Sequence, residues 1–214
     1  MSRTVFILAG LILIRGFVFG QSAEHSENTT QSKSKTPVER YIGWAATTGL
    51  WIPQGHNRLS LGIHPSLGIM ADGWYGKVVY DVAIEFRFIK AEREYTVQYQ
   101  GAPEKTNHYF GGFIGLHVGY AFLNSGNNSV YGLGGFGLDG FDAIEEDYQH
   151  ENSVSINAFN KNVGIGIRHF DNKGRFIGIE ILYNFINYKN PGGSPLDGNG
   201  FSVRLLFGGV RFVE

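Results

Sequence analysis

Residues 110–122 read FGGFIGLHVGYAF. Taken alternately, one set is Phe110, Gly112, Ile114, Leu116, Val118, Tyr120 and Phe122, and the other is Gly111, Phe113, Gly115, His117 and Gly119. A period of two is that of a β-strand, whose successive side chains point to opposite faces. One face of this strand is large and apolar, and the other is mostly glycine around a single histidine. Strand surfaces in water usually carry Lys, Thr, Glu and Gln rather than repeated glycine. The glycine face therefore reads as a crowded interior, and the apolar face as the outside.

The same two-faced pattern recurs along the chain. From Lys77 to Ile89, Val78, Tyr80, Val82, Ile84, Phe86 and Phe88 alternate with Lys77, Val79, Asp81, Ala83, Glu85 and Arg87. From Arg175 to Tyr188, Ile177, Ile179, Ile181, Tyr183 and Phe185 alternate with Gly178, Glu180, Leu182 and Asn184; the last run sets Phe201, Val203, Leu205 and Phe207 against Ser202, Arg204, Leu206 and Gly208. Weaker versions cover Tyr41–Trp51, Ile63–Ala71, Val130–Asp139 and Val163–Phe170. About eight strands result, with no helical stripe and no long apolar run after Gln21. A soluble sandwich or lipocalin-like barrel would put the large apolar set inside. A transmembrane barrel reverses this, turning large apolar residues to lipid and small or polar ones to a narrow lumen. The glycines at 111, 115, 119, 132, 134, 164, 166 and 208 are expected on that inner face, which side chains of an eight-stranded barrel just fill.

The connections favour the same architecture. The second, fourth and sixth are tight and rich in Gly, Asn or Asp: Asp72–Gly76, Ser125–Asn128 and Asp171–Gly174. Such residues accept the positive φ that hairpin turns demand. The first, third, fifth and seventh, around Pro53–Ser60, Ala91–His108, Phe141–Asn160 and Asn190–Gly200, are longer. Short turns at one end and long loops at the other match the periplasmic and extracellular ends of an outer-membrane barrel. The expected fold is all-β: an antiparallel, eight-stranded, transmembrane up-and-down β-barrel over residues 39–214.

Composition narrows the function classes. With no cysteine among 214 residues there is no disulfide framework, thiolate metal site, cysteine nucleophile or lipoprotein anchor. Lys+Arg 18 against Asp+Glu 19 gives nucleic acid no electrostatic footprint. Glycine, at 31 residues, is about twice its usual share, as turns and a crowded interior require. At the N-terminus, Arg3, the apolar stretch Val5–Ile14 and the sequence Val18-Phe19-Gly20 form a cleaved export signal over residues 1–20. The stretch is too short to cross about 30 Å of hydrocarbon, which takes about 20 residues. Residues 21–38, QSAEHSENTTQSKSKTPV, read as a flexible polar leader.

With its Gly-rich alternating strands and long polar loops, the chain resembles the small outer-membrane β-barrel families of Gram-negative bacteria: the OmpA-like transmembrane domain, the OmpX-like proteins and Bacteroidota-type barrels. The resemblance covers roughly residues 39–214 and is architectural. It implies location in the cell outer membrane, contact with outer-membrane lipid and lipopolysaccharide, and assembly by the barrel-insertion machinery. Such barrels typically end in an aromatic residue, whereas this sequence ends Phe212-Val213-Glu214. No linker to a peptidoglycan-binding domain is read, so tethering of the OmpA kind is not expected.

The alternation places Asp81, Glu85, Arg87, His117, Arg168, Glu180 and Arg204 in the lumen, where isolated charges are costly and must pair. We expect a salt-bridged, filled and non-conducting lumen, with a gated or proton-conducting path as the sharper alternative. No catalytic, cofactor or metal residues are assigned. Arg168-His169-Phe170-Asp171-Asn172 carries Asp171 where a lipid A deacylase-like site would want serine, and His56, His64 and His108 with Ser60 or Ser66 show no diagnostic spacing. Asp139–Asp147 concentrates carboxylates and reads as a solvated acidic loop rather than a calcium loop. Tyr41, Trp44, Trp51, Trp74, Tyr75, Tyr109, Tyr131 and Tyr188 are expected to form an aromatic girdle at the headgroup level. The function expected is non-enzymatic: structural, adhesive through the loops, or as a subunit with another envelope protein. The alternative is a lipid-modifying enzyme or a barrel that binds or passes a small hydrophobic ligand.

Overall fold

Alternation fixes eight long strands, and a computed structural model, which describes residues 40–144 and 153–212, shows how they join. They are β1 (Arg40–Pro53), β2 (His64–Tyr75), β3 (Val78–Phe88), β6 (Phe110–Ser125), β7 (Asn128–Ile144), β8 (Val154–Phe170), β9 (Arg175–Phe185) and β10 (Gly200–Phe212). Each pairs antiparallel with its neighbours in sequence, and β10 pairs with β1 to close the barrel. Two short strands, β4 (Tyr95–Tyr99) and β5 (Ala102–Thr106), form a separate hairpin within the third connection. A single-turn helix, α1 (Gly55–Ser60), lies in the first. The export signal and leader expected at residues 1–38 lie outside the described residues.

The polarity of the barrel is inverted relative to a soluble protein. Large apolar side chains point outward from every barrel strand, from Leu205 at 38% exposed to Val118 at 62%. A soluble monomer does not carry so continuous an apolar surface. A barrel in hydrocarbon does, and closing the sheet gives every strand two partners and leaves no edge.

Two of the three tight turns are narrower than the sequence suggests, and the third spans Asp171–Gly174 as expected. Two-residue links Gly76-Lys77 and Gly126-Asn127 follow strands that run through to Tyr75 and Ser125, and both glycines have positive φ. In the third, Asp171 accepts hydrogen bonds from the backbone N–H groups of Lys173 and Arg175 and pairs with the Arg175 side chain at 2.7 Å. Those bonds, the backbone bond from Arg175 foremost, hold its carboxyl below the usual range. At the other end the strands also run further than expected. Residues 141–144 and 154–160 are strand rather than loop, because β7 and β8 continue with polar Asp142, Ser155 and Asn157 on their outer face.

The first, third and seventh connections are structured. Leu61 from the first, Ala91, Tyr95, Val97 and Tyr109 from the third, and Ile186, Tyr188 and Leu196 from the seventh bury against Trp51, Phe141 and Ile156 of the strands in one apolar cluster. Burial raises the Tyr95 hydroxyl pKa, and that hydroxyl donates to the His108 carbonyl at 2.5 Å. Backbone bonds tie the connections together, from Glu92 N–H to the Leu61 carbonyl, Ser194 N–H to Thr96 and Gln54 N–H to Asn199.

Inner-face crowding decides which glycines are replaceable. A Cβ on Gly137 would stand 2.3 Å from the Ile114 carbonyl oxygen and 2.6 Å from the Phe113 ring. Gly132 and Gly134, expected inside, face outward instead, because Tyr131 and Leu133 take the inner positions; a Cβ on Gly134 meets nothing nearer than 3.7 Å. Gly137→Ala should therefore cost about 1–3 kcal/mol by overpacking, and Gly134→Ala about 0.5 kcal/mol or less. Urea unfolding of the two variants in detergent micelles, read by the folded band on unheated gels, checks the contrast.

Candidate functional site

Inward-facing charges occupy three tiers along the barrel interior. Nearest the tight turns, Arg168 on β8 pairs with Asp72 on β2, at the opposite position in the ring of eight. The Arg168 Nε also donates to the Tyr131 hydroxyl at 2.8 Å, and that hydroxyl donates to Glu180 Oε1 at 2.7 Å. The guanidinium lies over the rings of Phe176 at 4.9 Å and Tyr131 at 5.2 Å. Gly166 makes room for Tyr131, since a Cβ there would be 2.4 Å from its ring.

In the middle tier, Arg204 on β10 reaches Glu85 on β3 and lies 3.5 Å from Glu180 Oε2 on β9. Both are buried ion pairs. Asp72, Arg168, Glu180, Arg204 and Glu85 thus form one chain of alternating sign. Beside it, His117 Nδ1 donates to Asp81 Oδ1 at 2.6 Å between directly paired residues of β6 and β3.

Towards the long loops, Arg87 makes a two-pronged bond to Asp139, at 2.8 and 2.9 Å. Its guanidinium lies 4.5 Å from the Trp51 ring. Asp139 also accepts from Tyr188 and from Asn160 at 3.3 Å, and Asn160 in turn donates to Asn184 at 3.2 Å.

All seven residues read from the sequence as lumen charges, Asp81, Glu85, Arg87, His117, Arg168, Glu180 and Arg204, are buried on the inner face, none more than 5% exposed. They fall into separate groups rather than one, and two carboxylates absent from that set complete them: Asp72 and Asp139. By residue type alone, Asp72 reads as part of a turn and Asp139 as part of an acidic loop. Continuing the alternation by two residues, from Met70 to Asp72 and from Gly137 to Asp139, is the signal that finds both.

Other expectations change. Of the eight aromatic residues expected at the headgroup level, only Trp44 and Tyr75 face outward; Tyr41, Trp51, Trp74, Tyr109, Tyr131 and Tyr188 are buried. Their positions in the alternation share the inner parity, so strand-end location did not decide their direction. Among the acidic stretch, Asp139–Ile144 is strand, with Asp142 accepting from Ser155 at 2.5 Å, and 145–147 lie outside the described residues. His64 is buried and stacked 4.0 Å from Tyr109, with its Nε2 2.9 Å from the Leu61 carbonyl oxygen. His56 pairs with Asp197 at 2.7 Å on the surface. His169 faces outward against Asn128, away from the inner-face charges. Among the described residues no cluster of three His, Asp or Glu has metal-binding geometry.

The fold and this arrangement define a class, the closed eight-stranded barrel with apolar exterior and ion-paired interior. Solved structures of other proteins share the fold. Neisserial surface protein A (NspA) matches with a TM-score of 0.56 at 14% identity, over 80% of this chain and 96% of that one. A major outer membrane protein from Thermus thermophilus matches with a TM-score of 0.50 at 12% identity, over 80% of this chain and 99% of that one. No protein-family model and no curated protein sequence matches the chain.

The Arg87–Asp139 pair provides a direct test of interior energetics. Arg87→Met should destabilise the barrel by about 3–5 kcal/mol, because it leaves a buried carboxylate uncompensated. Adding Asp139→Asn removes that charge while keeping a group that bonds Asn160 and Tyr188. The double variant should recover most of the loss in urea midpoint.

Proposed function

We propose that the chain is an integral protein of the cell outer membrane, exported through its N-terminal signal, with an interior closed by its own side chains. It is non-enzymatic and works as a structural element or through its long loops, in adhesion or as a subunit beside another envelope protein. The observation that carries this reading is the inverted polarity: an apolar exterior enclosing charges that meet across the full ring, as Arg168 and Asp72 do. The fold shared with two outer-membrane or surface barrels supports the location. The exterior would be wetted by outer-membrane lipid and lipopolysaccharide, after assembly by the barrel-insertion machinery.

The apolar cluster under the long loops favours a second reading, a barrel that takes a small hydrophobic ligand at that end. Against it, these side chains already bury one another, with Trp51, Val97 and Ala143 at most 1% exposed.

Expressed in a Gram-negative host, the protein should fractionate with outer membranes and run faster on gels before heating than after. In planar bilayers it should give no large, steady conductance. A folded species in the soluble fraction sinks the membrane reading, and a steady open channel sinks the closed interior. Saturable quenching of a fluorescent fatty-acid analogue by the detergent-solubilised protein transfers the weight to the second reading.

A further inference from the structure

At the long-loop end, β8 outruns β9. Their pairing begins at Lys161↔Phe185, while β8 continues to Val154 with only β7 beside it. The chain leaving β9 diverges there, opening a groove of about 510 Å³ on the outside of the barrel. Phe159 and Phe185, both facing outward, form its apolar part; Lys161, Lys189, Asn157 and Asn187 form its polar part. Among the described residues no carboxylate lines it.

Lys161 is out of place for a barrel exterior. Its cross-strand neighbours are Phe136 and Phe185, and Phe159 and Val163 flank it on its own face. Among the described residues it is the only lysine or arginine on the outer face of the barrel strands away from the tight-turn end, where Arg40, Arg175 and Arg211 lie. Neither Lys161 nor Lys189 has an ion-pair partner among the described residues. A lysine on a lipid-facing surface is tolerated where its stem lies along apolar groups and its ammonium reaches the interface. At that interface a phosphorylated lipid headgroup offers a counter-charge.

Resting on the membrane reading above, we propose that this groove is a binding site for a phosphorylated lipid of the outer leaflet. The headgroup phosphate lies between the Lys161 and Lys189 ammonium groups, and the Asn157 and Asn187 amides donate to its polar oxygens. The acyl chains run along Phe159, Phe185 and Phe136 toward the apolar belt. The groove sets two lysines beside phenyl rings, a combination that suits an amphiphile and that a free anion would not use.

The test is retention of purified diphosphoryl lipid A by the full-length mature barrel in detergent micelles, measured by native mass spectrometry. A lysine near an anionic lipid surface is worth about a fivefold factor in affinity. Lys161→Gln with Lys189→Gln should therefore weaken retention about 30-fold, and Lys105→Gln, on the β5 hairpin, should leave it unchanged. A photoreactive analogue at position 159 should crosslink to lipid in membranes. Retention unaffected by the double substitution, equal displacement by millimolar inorganic phosphate, or crosslinking of position 159 to protein in place of lipid would each overturn the site. All variants must first show the heat-modifiable folded band. Failure of wild type to enter membranes defeats the underlying reading instead, so the two failures are distinct.

Discussion

Closure of the sheet governs everything else in this molecule. The antiparallel pairing of β1 with β10, from Tyr41↔Phe212 to Pro53↔Gly200, leaves no open edge on the ring of eight. In hydrocarbon an unpaired peptide group costs several kcal/mol, and only a closed ring avoids that cost for strands. Closure also makes direction binary. Once one strand turns Phe113 and His117 inward, the paired register passes that choice to its neighbours. Asp81 and Ala83 on β3, and Gly135 and Gly137 on β7, follow it inward.

The enclosed space is then a packing problem with charges in it. Rings and glycines share it between them: Phe113 lies over Gly115 and Gly137, and Tyr131 over Gly166. Arginine suits the remaining room, because a planar guanidinium can stack on an aromatic face while its edge meets a carboxylate. Arg87 does so with Trp51 and Asp139, and Arg168 with Phe176 and Asp72. Such pairs are poor sources of net stability, since their desolvation cost offsets their attraction. What they do show is geometry: they join strands that are not neighbours in the ring, as Arg168 and Asp72 do.

Much of the architecture was legible in the alternation because hydrophobic period depends only on local sequence. Strand number, the alternation of tight and long connections, and the inward direction of Arg87, Arg168, Glu180 and Arg204 all follow from it. Ends of strands were less legible. Asp72, Asp139, Asp142 and Asn157 look like turn or loop residues by type, yet each sits in a paired strand, because the ladder continues past the apolar belt where polar residues are tolerated on either face. The aromatic residues misled for a related reason. Tyr41, Trp74 and Tyr131 lie near strand ends, as interfacial rings do, but their parity turns them into the interior. Loop organisation was not legible at all: the packing of Leu61, Tyr95 and Leu196 depends on contacts between segments distant in sequence.

The pairing of Arg168 with Asp72 joins residues 96 positions apart and on opposing strands of the ring. Within its own hairpin Asp72 is paired with the like charge of Asp81, and Arg168 shares the carboxylate of Glu180 with Arg204, so an N-terminal half-barrel carries an uncompensated carboxylate and a C-terminal half an under-compensated guanidinium. Each would have to remain in contact with water. The charge partners of the interior are therefore complete only in the closed ring.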